Sequence, residues 1–355
     1  MDVLSVVGAR PQFIKAFVVS RELRATHDEV LVHTGQHYDE ELSDIFFEEL
    51  GIPEPDYDLG IGSESHATQT ARMMIGLEEV VEEYAPDILL CYGDTNSTLA
   101  AAIVASKFDL ELAHVEAGLR SFNRGMPEEI NRILTDHASD ILFAPSERAV
   151  DHLQSEGITE KVYNVGDVMY DSLLWAREEA KNRSTIREDL GVANEEYLLA
   201  TVHRPRNTDD RERLKTIITS LAIDQRRVVF PAHPRTIDRL KRYDLLAMTE
   251  EELTLIDPVS YLDFVSLQAG AEVIVTDSGG IQKEAFFLDV PCITLREETE
   301  WPETIEAGGN LLVGADAGAI REALANPPQL SSNSEPYGDG TASKKIVEVL
   351  NKSSE

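Results

Sequence analysis

The sequence predicts an α/β protein with two doubly wound, Rossmann-like domains. Three observations carry this. Short apolar runs of strand length alternate with amphipathic helical stretches along the chain, the pattern of parallel sheets covered on both faces. The 355 residues are enough for two domains rather than one. A charged, polar stretch at 181–196 interrupts the alternation near the middle, as a domain boundary does.

In the first half, strands are expected at Val3–Val7, Val30–His33, Asp87–Tyr92, Leu112–Glu116, Ile141–Ala144 and Val162–Val165. Helices are expected between them, among others at Gln69–Glu83, Thr95–Lys107 and Glu128–His137. A helix over Tyr170–Lys181 leads to the boundary stretch. The second half repeats the alternation, with strands at Leu198–Val202, Val228–Pro231, Leu253–Ile256, Val273–Thr276 and Cys292–Leu295. Asn326–Gly340 is rich in Pro, Ser, Asn and Gly and reads as a loop, followed by a terminal helix at Thr341–Asn351. Ligands of such sheets bind beyond the carboxyl ends of the strands, so a cleft between the two domains is the expected site.

Composition narrows the function. Acidic residues number 65 against 32 basic, a net charge of −33. Such a surface repels nucleic acid and anionic membranes. The regular apolar periodicity marks a folded protein rather than a disordered acidic one. The imbalance suggests a high-salt cytoplasm, where screening suppresses self-repulsion; an ordinary acidic surface is the alternative. Cys91 and Cys292 lie in apolar runs and read as buried free thiols, with neither a disulfide nor a metal framework between them. The chain opens directly into a strand, with no signal-peptide pattern before it and no apolar run of bilayer-spanning length. A soluble, cytoplasmic protein is expected.

The chemistry-bearing residues cluster at expected strand ends. After the first strand comes Gly8-Ala9-Arg10-Pro11-Gln12-Phe13-Ile14-Lys15. The glycine triplet of a dinucleotide-binding turn is missing, which argues against a redox cofactor. Arg10 and Lys15 near a helix start suggest an anionic ligand instead; solvated charge is the alternative. Asp94 and Glu116 each follow an apolar strand, and Glu128 opens a helix. Three carboxylates at one site suit acid–base work. Equally, Asp94 suits a helix cap, Glu128 a helix-dipole partner, and Glu116 an ion pair with Arg120 or Arg124. Thr276-Asp277-Ser278-Gly279-Gly280 joins a strand to a helix, where free amides face a phosphate and Ser278 suits both a cap and a donor. His203 and His233 also end strands, in a site role or a structural one. Asp56-Tyr57-Asp58 has the form of a metal-binding Asp-x-Asp but reads as a loop, and no metal is expected there.

Together these motifs resemble the non-hydrolysing UDP-N-acetylglucosamine 2-epimerases. The resemblance rests on Gly8-Ala9-Arg10-Pro11, Thr34-Gly35-Gln36-His37, Gly93-Asp94-Thr95, His114-Val115-Glu116-Ala117-Gly118-Leu119-Arg120, Pro127-Glu128-Glu129-Ile130-Asn131-Arg132, Thr276-Asp277-Ser278-Gly279-Gly280 and Pro336-Tyr337-Gly338-Asp339-Gly340. It implies a GT-B-like fold whose terminal helix returns to the first domain, giving domains at 1–169 plus 341–355 and at 170–340. Asp94, Glu116, Glu128 and His203 match the family's catalytic groups. Arg10, Lys15, Ser278, Gly279 and Gly280 match diphosphate contacts, Phe264 the residue against uracil, and Glu284 the ribose ligand; His233 is carried with the substrate-binding set as a strand-end histidine. The implied reaction breaks the C1–O bond to UDP and removes H2, giving UDP and a glycal; UDP re-adds after reprotonation on the other face. No cofactor is required, and the implied partners are a UDP-sugar and a second copy of the chain.

The sequence also departs from the family. Arg206-Asn207 stands where the family usually has Glu before Asn, and Tyr38-Asp39-Glu40 follows Gln36-His37. Obligatory activation by a second UDP-N-acetylglucosamine is therefore not expected. Trp301 replaces a frequent Arg and, with Ser121-Phe122-Asn123, is equally similar to the related UDP-2,3-diacetamido-glucuronate 2-epimerases. A glycosyltransferase on the same fold and a nucleotide-sugar sensor are the rival classes.

Overall fold

Buried strands need apolar residues on both faces, and the clearest runs in the sequence supply them: Ile88–Tyr92 and Val273–Thr276 are buried along their whole length. Each is central to a parallel sheet. The computed structural model describes residues 1–36, 54–331 and 335–353. The chain divides into two units, Met1–Ser172 with Glu335–Glu355, and Leu173–Ser334.

In the first unit the strands are β1 (Asp2–Val7), β2 (Asp28–His33), β3 (Tyr57–Asp58), β4 (Ile88–Tyr92), β5 (Glu111–Val115), β6 (Ile141–Ala144) and β7 (Val162–Asn164). Among the described residues they form one parallel sheet in the order β3-β2-β1-β4-β5-β6-β7. The order reverses between β1 and β4, so the crevice for a ligand opens beyond the ends of those two strands. Leu4, Val6, Leu89 and Cys91 meet Met73 and Leu77 of the helix His66–Tyr84 and Ala101 of the helix Asn96–Phe108 in one core. Full burial of a leucine contributes roughly 2 kcal/mol.

The second unit repeats the plan with β8 (Tyr197–Thr201), β9 (Arg227–Pro231), β10 (Thr254–Ile256), β11 (Val273–Thr276), β12 (Cys292–Thr294) and β13 (Asn310–Leu312). Their order among the described residues is β10-β9-β8-β11-β12-β13, again parallel. The switch point lies between β8 and β11, which are followed by His203 and by Asp277–Gly280.

The last helix, Ala342–Ser353, belongs to the first unit and packs on the helix Arg10–Leu23. Its free N-terminal amides are met by Asp171, whose carboxylate accepts from Ala342 N at 3.0 Å, Ser343 N at 2.8 Å and Ser343 Oγ at 2.6 Å. Just before it, Gly166 (φ 90°) lies against Tyr337, where a Cβ would come within 2.8 Å of the carbonyl oxygen. The Pro336–Gly340 motif thus has a local structural use.

Two short edge strands, β3 and β13, were not expected. Asp56-Tyr57-Asp58 is accordingly no open loop: Tyr57 and Asp58 pair with β2, Asp56 accepts from Leu31 N at 2.8 Å, and Asp58 accepts from Gly60 N at 2.9 Å. Both cysteines are buried and free, and burial pushes the Cys292 thiol up to about 12. Among the described residues no helix is long and apolar enough to cross a membrane.

Candidate active site

At the end of β5 the backbone turns sharply. Glu116 follows the last strand residue with φ 75°, a left-handed conformation that costs a non-glycine residue about 1–3 kcal/mol. The turn is held because Glu116 N and Ala117 N both donate to Phe143 O of β6, each at 3.0 Å. The strain aims the carboxylate at Lys15, and the two form a nearly buried ion pair. Burial by itself would lower the Lys15 ammonium; Glu116 outweighs it, with help from Asp94 and Asp167, and the group is raised. This corrects two expectations. Lys15 lies in the second turn of Arg10–Leu23 rather than at its start, and the partner of Glu116 is Lys15 rather than Arg120 or Arg124. Arg120 instead joins Asp136 at 2.7 Å and Glu156 at 2.7 Å.

The adjacent turn, after β4, carries Asp94. Gly93 takes φ 64° there, and a Cβ at that position would come within 3.3 Å of Glu116 Oε2 and 3.4 Å of Lys15 Nζ. Asp94 does not cap the next helix; Thr95 does, its Oγ1 accepting from Thr98 N at 3.4 Å. The Asp94 carboxylate instead meets Arg132 Nη2 at 2.5 Å, while its carbonyl accepts from Asn131 Nδ2 at 2.9 Å. Arg132 also donates to Glu129 at 3.0 Å, and the two carboxylates raise its guanidinium against the opposing effect of burial. Glu128 lies one turn before Arg132 in the first turn of Pro127–Ala138, half-buried. Lys15, Asp94 and Glu116 are therefore brought together, with Glu128 on the helix that supplies Arg132. The side chain of Arg10 and all of His37 lie outside the described residues.

Sequence reasoning missed the supports beneath these groups. Gln12 Oε1 accepts from Gly8 N at 2.8 Å and Ala9 N at 3.0 Å, closing the turn after β1, while its Nε2 donates to Tyr92 O at 2.6 Å. Glu129 holds Ser121 N at 2.8 Å and Phe122 N at 2.8 Å. In the sequence both stand only as polar helix residues, and their partners were not visible.

In the second unit the helix Gly279–Phe287 starts directly beyond β11. Ser278 is its N-cap by position, yet its hydroxyl makes no capping bond, which corrects the expectation of a side-chain cap. Three charged groups gather at Gly279: a Cβ there would lie 3.3 Å from Glu300 Oε2, 3.7 Å from Arg204 Nη2 and 3.7 Å from Arg296 Nη1. Trp301 Nε1 donates to Gly279 O at 2.9 Å, and the Lys283 ammonium lies 4.1 Å from the Trp301 ring centroid. The helix start, the glycine pair and the Arg204 guanidinium are features that suit an anion, while Arg296 is held by Glu300 at the same point.

Asp277, fully buried, orders the neighbouring loop. It accepts from His203 N at 3.0 Å, Arg204 N at 3.0 Å and Asn207 Nδ2 at 3.0 Å. His203 Nδ1 is 3.5 Å from the same carboxylate. Burial lowers the His203 imidazole, with Arg204 and His233 adding to the effect and Asp277 opposing it. His233 itself caps Pro234–Arg242, its Nδ1 accepting from Arg235 N at 3.2 Å. Gln268 Nε2 donates to Glu284 at 2.8 Å, and burial raises that carboxyl against Gln268 and Lys283. Phe264 lies one turn before Gln268 on Tyr261–Gly270.

A sequence profile described as UDP-N-acetylglucosamine 2-epimerase matches residues 21–351. The chain belongs to the UDP-N-acetylglucosamine 2-epimerase family. A UDP-N-acetylglucosamine 2-epimerase homolog of Methanococcus maripaludis is 51% identical, over 99% of each chain. A UDP-2,3-diacetamido-2,3-dideoxy-D-glucuronate 2-epimerase of Pseudomonas aeruginosa is 47% identical over 99% of this chain and 100% of its own. The solved UDP-GlcNAc 2-epimerase of Methanocaldococcus jannaschii superposes with a TM-score of 0.90 at 42% identity, covering 99% of this chain and 100% of that one. A structure of that enzyme in complex with UDP-GlcNAc and UDP gives 0.80 at 43%, with the same coverage. The chain is thus an isomerase of the UDP-sugar 2-epimerase class with a GT-B-like fold.

Proposed function

We propose that this epimerase interconverts UDP-N-acetylglucosamine and UDP-N-acetylmannosamine by elimination and re-addition of UDP. The observation that carries the reading is the strained Glu116 turn, which sets a carboxylate against Lys15 beside Asp94. The reading assigns proton transfer at C2 to Glu116, Asp94 and Glu128, and to His203 a proton lent to the departing UDP and taken back when UDP re-adds. It assigns the diphosphate to Ser278, Gly279, Gly280, Arg10 and Lys15, and the uridine to Phe264 and Glu284. Fixed donors aimed at the diphosphate stabilise it as charge develops on leaving, an effect that is often the largest in such reactions. The bound UDP-GlcNAc of the M. jannaschii enzyme supports the choice of sugar.

A second reading, epimerisation of the diacetamido-uronate, draws on the P. aeruginosa relative. Its substrate needs a cation for the C6 carboxylate. Arg296 is the nearest candidate in the Trp301 loop, but both its terminal nitrogens bind Glu300 at 2.8 Å. We therefore favour the neutral sugar. Incubating the purified protein with each UDP-sugar alone decides: conversion of UDP-GlcNAc to the manno epimer is expected, and turnover confined to the uronate would refute the choice. Without an acceptor a glycosyltransferase leaves both unchanged, as does a sensor.

We further infer a cytoplasmic homodimer that supplies a sugar nucleotide for polysaccharide synthesis, in keeping with the family and with the lack of a membrane-crossing helix among the described residues. Sedimentation at one monomer mass would contradict the dimer.

A further inference from the structure

We propose that His114 is a doubly protonated clamp, a positioning residue that fixes the two turns carrying Asp94 and Glu116. What those carboxylates do rests on the epimerase reading above; the clamp itself rests on geometry.

His114 is fully buried in β5. Its Nε2 is 2.8 Å from Gly93 O, and its Nδ1 is 2.7 Å from Asp136 Oδ1. A carbonyl oxygen only accepts, so Nε2 carries hydrogen. Asp136 is also an acceptor here: its other oxygen receives Gly118 N at 3.1 Å and Arg120 Nη1 at 2.7 Å. A neutral imidazole has one N–H and would turn a lone pair towards one of these two oxygens. The competing arrangement is a neutral imidazole whose Nδ1 accepts from a protonated Asp136 Oδ1. With Asp136 ionised, as its ion pair with Arg120 favours, both contacts are satisfied together by imidazolium. The surrounding charges balance it. Asp136 faces it from Pro127–Ala138, and Arg120 stands behind Asp136, itself paired with Glu156, which His137 approaches to 3.2 Å. From β4 the neighbour in register is the Cys91 thiol, pushed up by burial and so uncharged. Burial would raise the Asp136 carboxyl; His114 and Arg120 outweigh it and hold it down, in keeping with a charged pair.

The placement of the contacts gives the clamp its use. Gly93 is the residue before Asp94, and its own N–H donates to Val115 O at 3.0 Å. Gly118 lies two residues beyond Glu116. One imidazolium–carboxylate pair therefore grips both turns at the backbone, from below, without occupying the space where their side chains meet Lys15. A displacement of about 1 Å in such a pair of groups can cost ~100-fold in rate.

The test uses the 355-residue chain labelled with ¹⁵N-histidine. Proton–nitrogen correlation at about pH 8, above the ordinary imidazole range, reports which ring nitrogens carry hydrogen. The His114 signals are assigned by their loss in His114→Gln, or, if that variant does not fold, by elimination with single variants of the remaining histidines. Both nitrogens protonated is the expected result; a neutral tautomer with one bare nitrogen overturns the proposal. In Asp136→Asn, exchange of the sugar C2 hydrogen with solvent should slow by ~100-fold while UDP binding stays within about twofold. Unchanged exchange would overturn the positioning role. If the unsubstituted protein exchanges C2 hydrogen from no UDP-sugar, the functional reading fails, and the histidine spectrum still decides the clamp.

Discussion

The two sheets share a plan but equip their switch points differently. Beyond β1, β4 and β5 the first unit offers side-chain charge: Lys15 against Glu116, and Arg132 against Asp94, on turns with positive φ at Gly93 and Glu116. Beyond β8 and β11 the second unit offers backbone: the helix start at Gly279, with Arg204 and Arg296 nearby and Asp277 ordering the loop. Backbone donors hold a ligand whose charge does not change sign. Titratable pairs under strain suit a step in which protons move. On the proposed function, the same topology separates holding from reacting.

The largest effects should divide along that line. On the proposed function, Glu116→Gln should cut turnover by at least ~100-fold with little change in KM, because it would remove an acid–base group and spare the diphosphate contacts. Arg204→Gln should do the reverse, weakening UDP binding by about tenfold, the scale of one charge-assisted hydrogen bond, with turnover at saturation largely kept. Steady-state kinetics with UDP inhibition measure both. Equal losses of turnover and KM in the two variants would dissolve the distinction.

The placement of these motifs at strand ends was legible in the sequence because such motifs are local. Gly93-Asp94, Glu116 and Ser278-Gly279-Gly280 follow short, largely apolar runs of strand length, the last of them β-branched throughout. The edge strands were not legible. β3 has two residues and β13 three, too few for an alternation to register. Long-range partners were also hidden: Lys15 and Glu116 are 101 residues apart, and Asp277 and His203 are 74 apart. Asp277 was visible only as part of a phosphate-like motif, whereas its carboxylate is wholly spent on the neighbouring loop. Glu116 was singled out for its place after β5, but the left-handed backbone that aims it depends on Phe143 of another strand.

That hidden role of Asp277 gives the next prediction. Asp277→Ala leaves the amides of His203 and Arg204 and the Asn207 side chain without their buried acceptor, at roughly 1–3 kcal/mol each where no water replaces it. Thermal unfolding should show a clear loss of stability in the second unit. A melting temperature equal to that of the unsubstituted protein would mean the loop is ordered by something else.

A smaller effect should appear in acid. Asp136 and Glu129 are held below their ordinary values of 3.8 and 4.5, each against burial, by His114 and Arg120 in one case and by Ser121, Phe122 and Arg132 in the other. A depressed carboxyl contributes stability that is complete above its unfolded value and lost as pH falls through the folded one. Stability should therefore decline below about pH 4.5, and Asp136→Asn should flatten that decline. A parallel decline in the variant would remove Asp136 from the account.

The smallest effect separates surface from site. With a net charge of −33, salt should stabilise both units by screening repulsion, and the change should be modest per site. Full stability at low salt would remove the high-salt interpretation and leave the chemistry untouched.

The central claim is that Glu116, Asp94 and their neighbours move the C2 proton. Epimerisation of UDP-N-acetylglucosamine in deuterated water tests it most directly, read by NMR or mass spectrometry of the manno product. The account predicts deuterium at C2 in every product molecule, with a low level of free UDP and glycal escaping in Glu116→Gln. Product that keeps its original C2 hydrogen would contradict it.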